Sequence, residues 1–174
     1  MGTLTKIKIP PRLGEILIRH TSLTADQLTE ALLLQEQQGG LLGNILVERK
    51  MVMPHELMKA LCIQLNIPYM DEINASEIDP TLVSDLPINY AKTNEVIPIA
   101  KKKNDKGDFL LIAVSDPFNM KITSDLSALL GLPVEIAVST SMRIQDTINR
   151  VYERNTSNIV DNIEGEFEDT YDLE

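Results

Sequence analysis

Arg12, Gly14 and Gln35 are the residues of the N-terminal third best suited to meet a ligand, and two of them return 29 positions later as Gly43 and Gln64. Glutamine offers one acceptor and two donors, enough to read the edge of a purine base. Glycine lets another backbone or a flat ring come close. Arg12 is a planar cation that can stack on a base or fork onto a phosphate. Taken singly, each has a plainer reading: a glycine that allows close helix packing, a glutamine at the surface end of a helix, a solvated charge. Their common register points instead to a ligand that itself has two equivalent halves, with leucines as apolar walls.

The register belongs to a longer repeat, and internal repeats are the first feature to seek in a sequence. Residues 12–35 and 41–64 are two 24-residue copies separated by five residues. Leu13/Leu42, Gly14/Gly43, Ile16/Ile45, Leu17/Leu46, Leu28/Leu57, Ala31/Ala60, Leu32/Leu61 and Gln35/Gln64 are identical, and Leu23/Val52 and Gln27/Glu56 nearly so.

The elements that must carry these residues are helices. Leu13, Ile16 and Leu17 share a helical face, with His20 following on the same side. Thr24 with Gln27 three residues on reads as a capping box, and Leu23 with Leu28 as a hydrophobic staple. Leu28, Ala31, Leu32 and Gln35 form an i, i+3, i+4, i+7 stripe that Gly39-Gly40 stops. In the second copy Pro54 takes the first helical position. Four short helices are expected over 12–68, after an N-terminal arm over 1–11.

Beyond Pro68 the pattern changes to that of a small α/β unit over 69–152. Short helical stretches are expected near 79–85 and 88–93. A strand over 95–100 carries Pro98, which an edge tolerates best. A charged turn over 101–107 leads to the continuous apolar strand 109–114. Asp116-Pro117 reads as a turn cap rather than a catalytic aspartate. A helix over about 119–130, a strand over 134–138 and a helix capped by Thr140 complete a right-handed crossover. The fold class is therefore α+β: an all-helical tandem-repeat subdomain, then a three-stranded sheet with two helices. Residues 153–174 read as an acidic, disordered linker or tail.

Charge and composition exclude several classes. The net charge is −10, of which residues 153–174 supply −7 through eight acids against Arg154, leaving −3 for the body. Such a chain lacks the basic face that DNA or RNA binding requires. No apolar run approaches the roughly 20 residues that span a bilayer, so a soluble chain is expected. Cys62 stands alone and reads as a small buried hydrophobe in a reducing compartment. His20, His55 and Cys62 lack metal-ligand spacing. No G-x-x-x-x-G-K-[ST] occurs, so the chain reads as a non-enzyme without cofactor or metal.

Arg12-Leu13-Gly14, Leu28, Leu32 and Gln35, then Leu42-Gly43, Leu57, Leu61 and Gln64 after a five-residue spacer, resemble the MshEN domain. This is the N-terminal domain of type II secretion and type IV pilus assembly ATPases of the GspE/PilB class. Ile97-Pro98, residues 111–117, Gly131-Leu132-Pro133-Val134-Glu135 and residues 148–152 resemble the second half of the same region. The resemblance spans residues 12–152. It implies a regulatory module ahead of an ATPase core, in the same or an associated chain, that binds cyclic di-GMP. Arg12, Leu13, Gly14, Leu28, Leu32 and Gln35 would line one half of that ligand; Leu42, Gly43, Leu57, Leu61 and Gln64 would line the other. It also implies a cytoplasmic protein, peripheral to the inner membrane through its partners.

The sequence departs from the family pattern at Leu41, where a basic residue is common, and at Thr21 and Lys50, where glycine is frequent. Losing one charge-assisted contact costs about 1.5–3 kcal/mol. These departures favour the second reading, a docking module for the inner-membrane platform protein with no nucleotide ligand.

Overall fold

A computed structural model of the protein describes the backbone of residues 11–171 and the side chains of 11–119 and 121–157. Apart from Pro11, the arm expected over 1–11 lies outside the described residues. The chain divides between Pro68 and Tyr69 into two compact units.

The first unit holds α1 (Leu13–His20), α2 (Ala25–Gln38), α3 (Leu42–Glu48) and α4 (Pro54–Leu65). Thr24 caps α2: its N–H donates to Gln27 Oε1 at 3.0 Å, and Gln27 N–H donates to Thr24 Oγ1 at 3.2 Å. At α4 the same reciprocal role falls to Glu56, whose Oε2 accepts from Met53 N–H at 2.9 Å. Helices this short gain most of their stability from packing an apolar face. That face is assembled from both copies: Ile16, Leu17, Leu23 and Ala31 are buried with Leu46, Val52 and Ala60. The copies interleave, so that α1 packs on α4 and α2 on α3.

The second unit opens with two 3-10 turns, Ala75–Glu77 and Pro80–Val83, and with α5 (Ile88–Asn94). The sheet has the order β1-β2-β3, with β1 (Val96–Asn104) antiparallel to β2 (Gly107–Val114) and β3 (Val134–Val138) parallel to β2. Pro98 lies on the edge strand β1, beside the register shift between Pro98 and Ala100. The missing donor of Pro98 therefore sits where the ladder is already interrupted. Lys101, Lys102 and Lys103, expected in a turn, extend β1 instead, and only Asp105-Lys106 turn the hairpin. Exposed lysines are compatible with an edge strand, where they discourage pairing with another chain.

The crossover helix α6 (Met120–Leu130) ends at Gly131, whose φ of 69° is left-handed. The last helix, α7 (Ser141–Tyr171), corrects the disordered tail expected over 153–174. The chain does not run out of partners at Tyr152: the Arg154 guanidinium donates to the carbonyls of Ala75, Ser76 and Ile78 at 2.6, 2.9 and 2.6 Å. Beyond it Ile159, Ile163, Phe167 and Tyr171 recur every four residues, a helical period that the acidic composition had hidden. Residues 172–174 lie outside the described residues.

Candidate functional site

The two copies place their matched residues in matched environments. Gly14 and Gly43 are buried, as are Leu17 and Leu46, Leu23 and Val52, Ala31 and Ala60. Leu13 and Leu42, Leu28 and Leu57, Gln35 and Gln64 are all half-buried. The symmetry breaks at Leu32, 46% exposed, against a half-buried Leu61. It breaks again at the openings: Arg12 and Leu41 are both exposed, one a cation and the other an apolar chain 71% in solvent.

Each glycine has a leucine of its own copy in front of it. A Cβ on Gly14 would sit 2.8 Å from Leu28 Cδ2, and one on Gly43 would sit 2.9 Å from Leu57 Cδ2. The space expected to be open to a ring or a backbone is thus held by a leucine side chain. The glycines let a leucine from the helix that follows lie directly over α1 and α3, and any flat group would meet Leu28 and Leu57 first.

The glutamines do something the spacing alone did not disclose. Gln35 Nε2 donates to the carbonyl of Gly40 at 2.9 Å, and Gln64 Nε2 donates to the carbonyl of Pro11 at 3.3 Å. Gly40 and Pro11 are themselves 29 positions apart and immediately precede Leu41 and Arg12. Each copy therefore ends in a glutamine that holds the backbone just ahead of the other copy. Sequence reasoning missed Pro11 and Gly40 because it looked for side chains, and these residues contribute carbonyl oxygens.

Arg12 opens α1 with its carbonyl accepting from Glu15 and Ile16 N–H at 3.0 and 3.2 Å. The Leu41 carbonyl accepts from Ile45 N–H at 3.2 Å in the second copy. Behind α3, Lys50 adopts φ 57°, a left-handed conformation that favours glycine. Lys50 N–H donates to Val47 O and Met51 N–H to Leu46 O, both at 2.9 Å, the paired bonds of a Schellman ending. The other departure, Thr21, is extended at φ −133° and donates its hydroxyl to Leu17 O at 2.7 Å. One of the two replaced glycines therefore leaves a strained backbone and the other does not.

The remaining chemical groups lie elsewhere. Cys62 is buried, and burial pushes its thiol up to about 11, far from a reactive thiolate. Asp116 Oδ1 accepts from Phe118 N–H at 2.9 Å, the local turn bond expected of it. Among the described residues no group of His, Cys, Asp and Glu could hold a metal ion, and no helix is long and apolar enough to cross a membrane.

Residues 65–158 match the MshEN domain. Over 141 residues, 81% of its length, the chain is 28% identical to the type IV pilus assembly ATPase PilB of Myxococcus xanthus, of which it spans 24%. It is 31% identical over 141 residues to PilB of Thermus thermophilus, spanning 15% of that protein. A solved structure of MshE with cdg shares the fold, with a TM-score of 0.57 and 28% identity, over 82% of this chain and 99% of that one.

Proposed function

The chain belongs to the MshEN domain family, and from that premise we propose that it is a regulatory and docking domain of a type IV pilus or type II secretion ATPase that binds cyclic di-GMP through its two helical copies. The observation that carries this reading is the likeness to MshE with cdg, which takes in most of the chain. The repeat supports it independently. Cyclic di-GMP has two guanines and two phosphates, and the fold offers Leu13, Gly14, Leu28 and Gln35 in one copy and Leu42, Gly43, Leu57 and Gln64 in the other, matched in burial and register.

In this reading Leu28, Leu32, Leu57 and Leu61 form apolar walls for the two bases. Leu32 is the leucine among them with most surface to give up on binding, and burying it would contribute about 25 cal/mol per Å2 of apolar area. Arg12 meets a phosphate or the face of a base, and Leu41 leaves the second half without such a cation. Gly14 and Gly43 keep the helices close enough for Leu28 and Leu57 to present a continuous surface. The core of the ATPase is a partner in the same or an associated chain.

Titration of the purified chain with cyclic di-GMP by calorimetry tests this. Micromolar or tighter binding, weakened by about ten- to a hundredfold in Arg12→Ala, is the expected result. An absence of heat, together with an unchanged melting temperature at millimolar ligand, would sink it.

A docking role toward an inner-membrane platform protein rests on a separate observation. Ile18, Leu33, Ile63 and Leu65 are 40%, 53%, 47% and 46% exposed. Leu33 is apolar and open where its counterpart Cys62 is 1% exposed. These side chains lie outside the paired leucine positions and are available to a protein surface. Substituting Leu33 and Leu65 by glutamate would release the platform protein in a pull-down while leaving ligand binding intact; retention of the partner would argue against this face.

A further inference from the structure

We infer that Gln35 and Gln64 are crossed positioning residues, each setting the opening of the copy to which it does not belong, and that Gln64 acts on ligand binding through Arg12 rather than by reading a base. The inference rests on the cyclic di-GMP reading for its effect on affinity, and on the hydrogen bonds alone for its effect on the backbone.

Gln64 stands 53 positions from the carbonyl it holds, so its bond closes the interleaved arrangement rather than a local turn. The held carbonyl belongs to Pro11, and the next residue is the exposed Arg12 at the N-cap of α1. Orienting that peptide fixes the direction in which the Arg12 side chain leaves the helix. Gln35 does the equivalent for Gly40 and Leu41, but Leu41 has no charged group to aim.

The two bonds also restrain chains of different stiffness. Proline has its φ fixed near −65° by its ring, so what the Gln64 bond holds at Pro11 is ψ, the rotation that turns its carbonyl and the Arg12 peptide together. Gly39 and Gly40 have φ of 74° and 93°, conformations that only glycine adopts readily and from which it also departs readily. Breaking the Gln35 bond therefore loosens a flexible pair, whereas breaking the Gln64 bond loosens a stiff one. Stability and affinity should rank in opposite orders: Gln35→Ala costs more in melting temperature, and Gln64→Ala costs more in ligand affinity. A glutamine with a purely structural role would give the same order in both.

The test uses the full chain and cyclic di-GMP, with Gln35→Ala, Gln64→Ala, Arg12→Ala and the Arg12→Ala/Gln64→Ala pair. Gln64→Ala should weaken binding by about three- to tenfold and cost less than about twofold further when Arg12 is already alanine, as residues acting through one group do. A Gln64 effect that persists in full without Arg12 would mean that the amide touches the ligand itself, and would overturn the inference. If the wild-type chain gives no heat, the ligand reading has failed and amide exchange decides the positioning alone. Gln64→Ala should then speed exchange at Glu15 and Ile16, and Gln35→Ala at Ile45. Acceleration confined to each glutamine's own copy, or none, would refute the crossed arrangement.

Discussion

Leu28 lies directly over Gly14, close enough that a β-carbon on the glycine would stand 2.8 Å from Cδ2 and 3.0 Å from Cδ1 of the leucine. Leu57 lies over Gly43 with the corresponding distances at 2.9 and 3.0 Å. The same 14-residue separation joins glycine to leucine in both copies. The leucine can lie against the short helix here only because one side chain is missing, and it fills the space that results.

Gly14→Ala and Gly43→Ala should each destabilise the helical unit, by about the same amount. Overpacking costs about 1–3 kcal/mol, while alanine recovers about 0.5–1 kcal/mol of helix propensity over glycine. The expected net loss is about 1 kcal/mol, because Leu28 and Leu57 are half-buried and their methyls can swing outward. Adding Leu28→Ala to Gly14→Ala should cost less than the sum of the two single changes. Thermal melts of the four proteins check this; strict additivity would show that the glycine and the leucine do not compete for the same space.

The helices and their copying were legible because packing two identical stripes needs identical apolar positions at helical spacing. The thread from Gly14 to Leu28 was not, since spacing says which residues share a face and not which side chain fills a gap. The partners of Gln35 and Gln64 were hidden for a similar reason: backbone carbonyls leave no mark in a sequence. In the second unit the strands were readable as apolar runs. The hairpin was readable as well, but its turn was drawn too wide, because Lys101 to Lys103 look like a turn by composition and join the ladder through backbone groups that composition does not report. The chain past Tyr152 was misread because its acids outnumber its apolar residues, although the four-residue recurrence from Ile159 was present.

Lys50→Gly should stabilise the protein. Holding a non-glycine residue in the left-handed region costs about 1–2 kcal/mol, and Lys50 sits there at φ 57°. Part of the gain is offset by the greater freedom of glycine in the unfolded chain, leaving about 0.5–1 kcal/mol and a rise of a few degrees in melting temperature. Thr21→Gly should bring no such gain, since Thr21 is extended and gives up a side-chain bond to Leu17. Equal effects at the two positions would remove the backbone explanation.

Arg154→Ala should destabilise the α/β unit by at least about 1.5–3 kcal/mol, the range for hydrogen bonds from a charged group. Its guanidinium gathers three carbonyls of the 75–78 segment at once, so Arg154→Lys should recover little, lacking the planar fork. Ending the chain at Tyr152 should reproduce the loss even though the Tyr152 hydroxyl still donates to Leu86 O at 2.7 Å. Denaturant melts of these variants decide the matter, and a truncated chain as stable as the whole would mean that α7 matters only up to Tyr152.

Glu95 gives the α/β unit a defined response to acid. Its backbone is left-handed at φ 50°, between α5 and β1. Its carboxylate is held below the ordinary glutamate value first by a hydrogen bond from Ser115 and then by one from Ser141; burial opposes them, and Gln145 adds the weakest lowering. A carboxyl group whose value is lowered on folding stabilises the native state fully above its unfolded value of about 4.3, and that stability is lost as the pH falls through the range below it. Wild type should therefore lose stability more steeply than Glu95→Gln as the pH falls below about 4.3, since the glutamine has no proton to take up there. At pH 7 the glutamine variant should be the less stable of the two, because an amide accepts these hydrogen bonds less strongly than a carboxylate. The difference should narrow as the pH falls below the ordinary glutamate range and the carboxylate is protonated. Parallel acid limbs for the two proteins would show that the Ser115, Ser141 and Gln145 bonds do not favour the charged form.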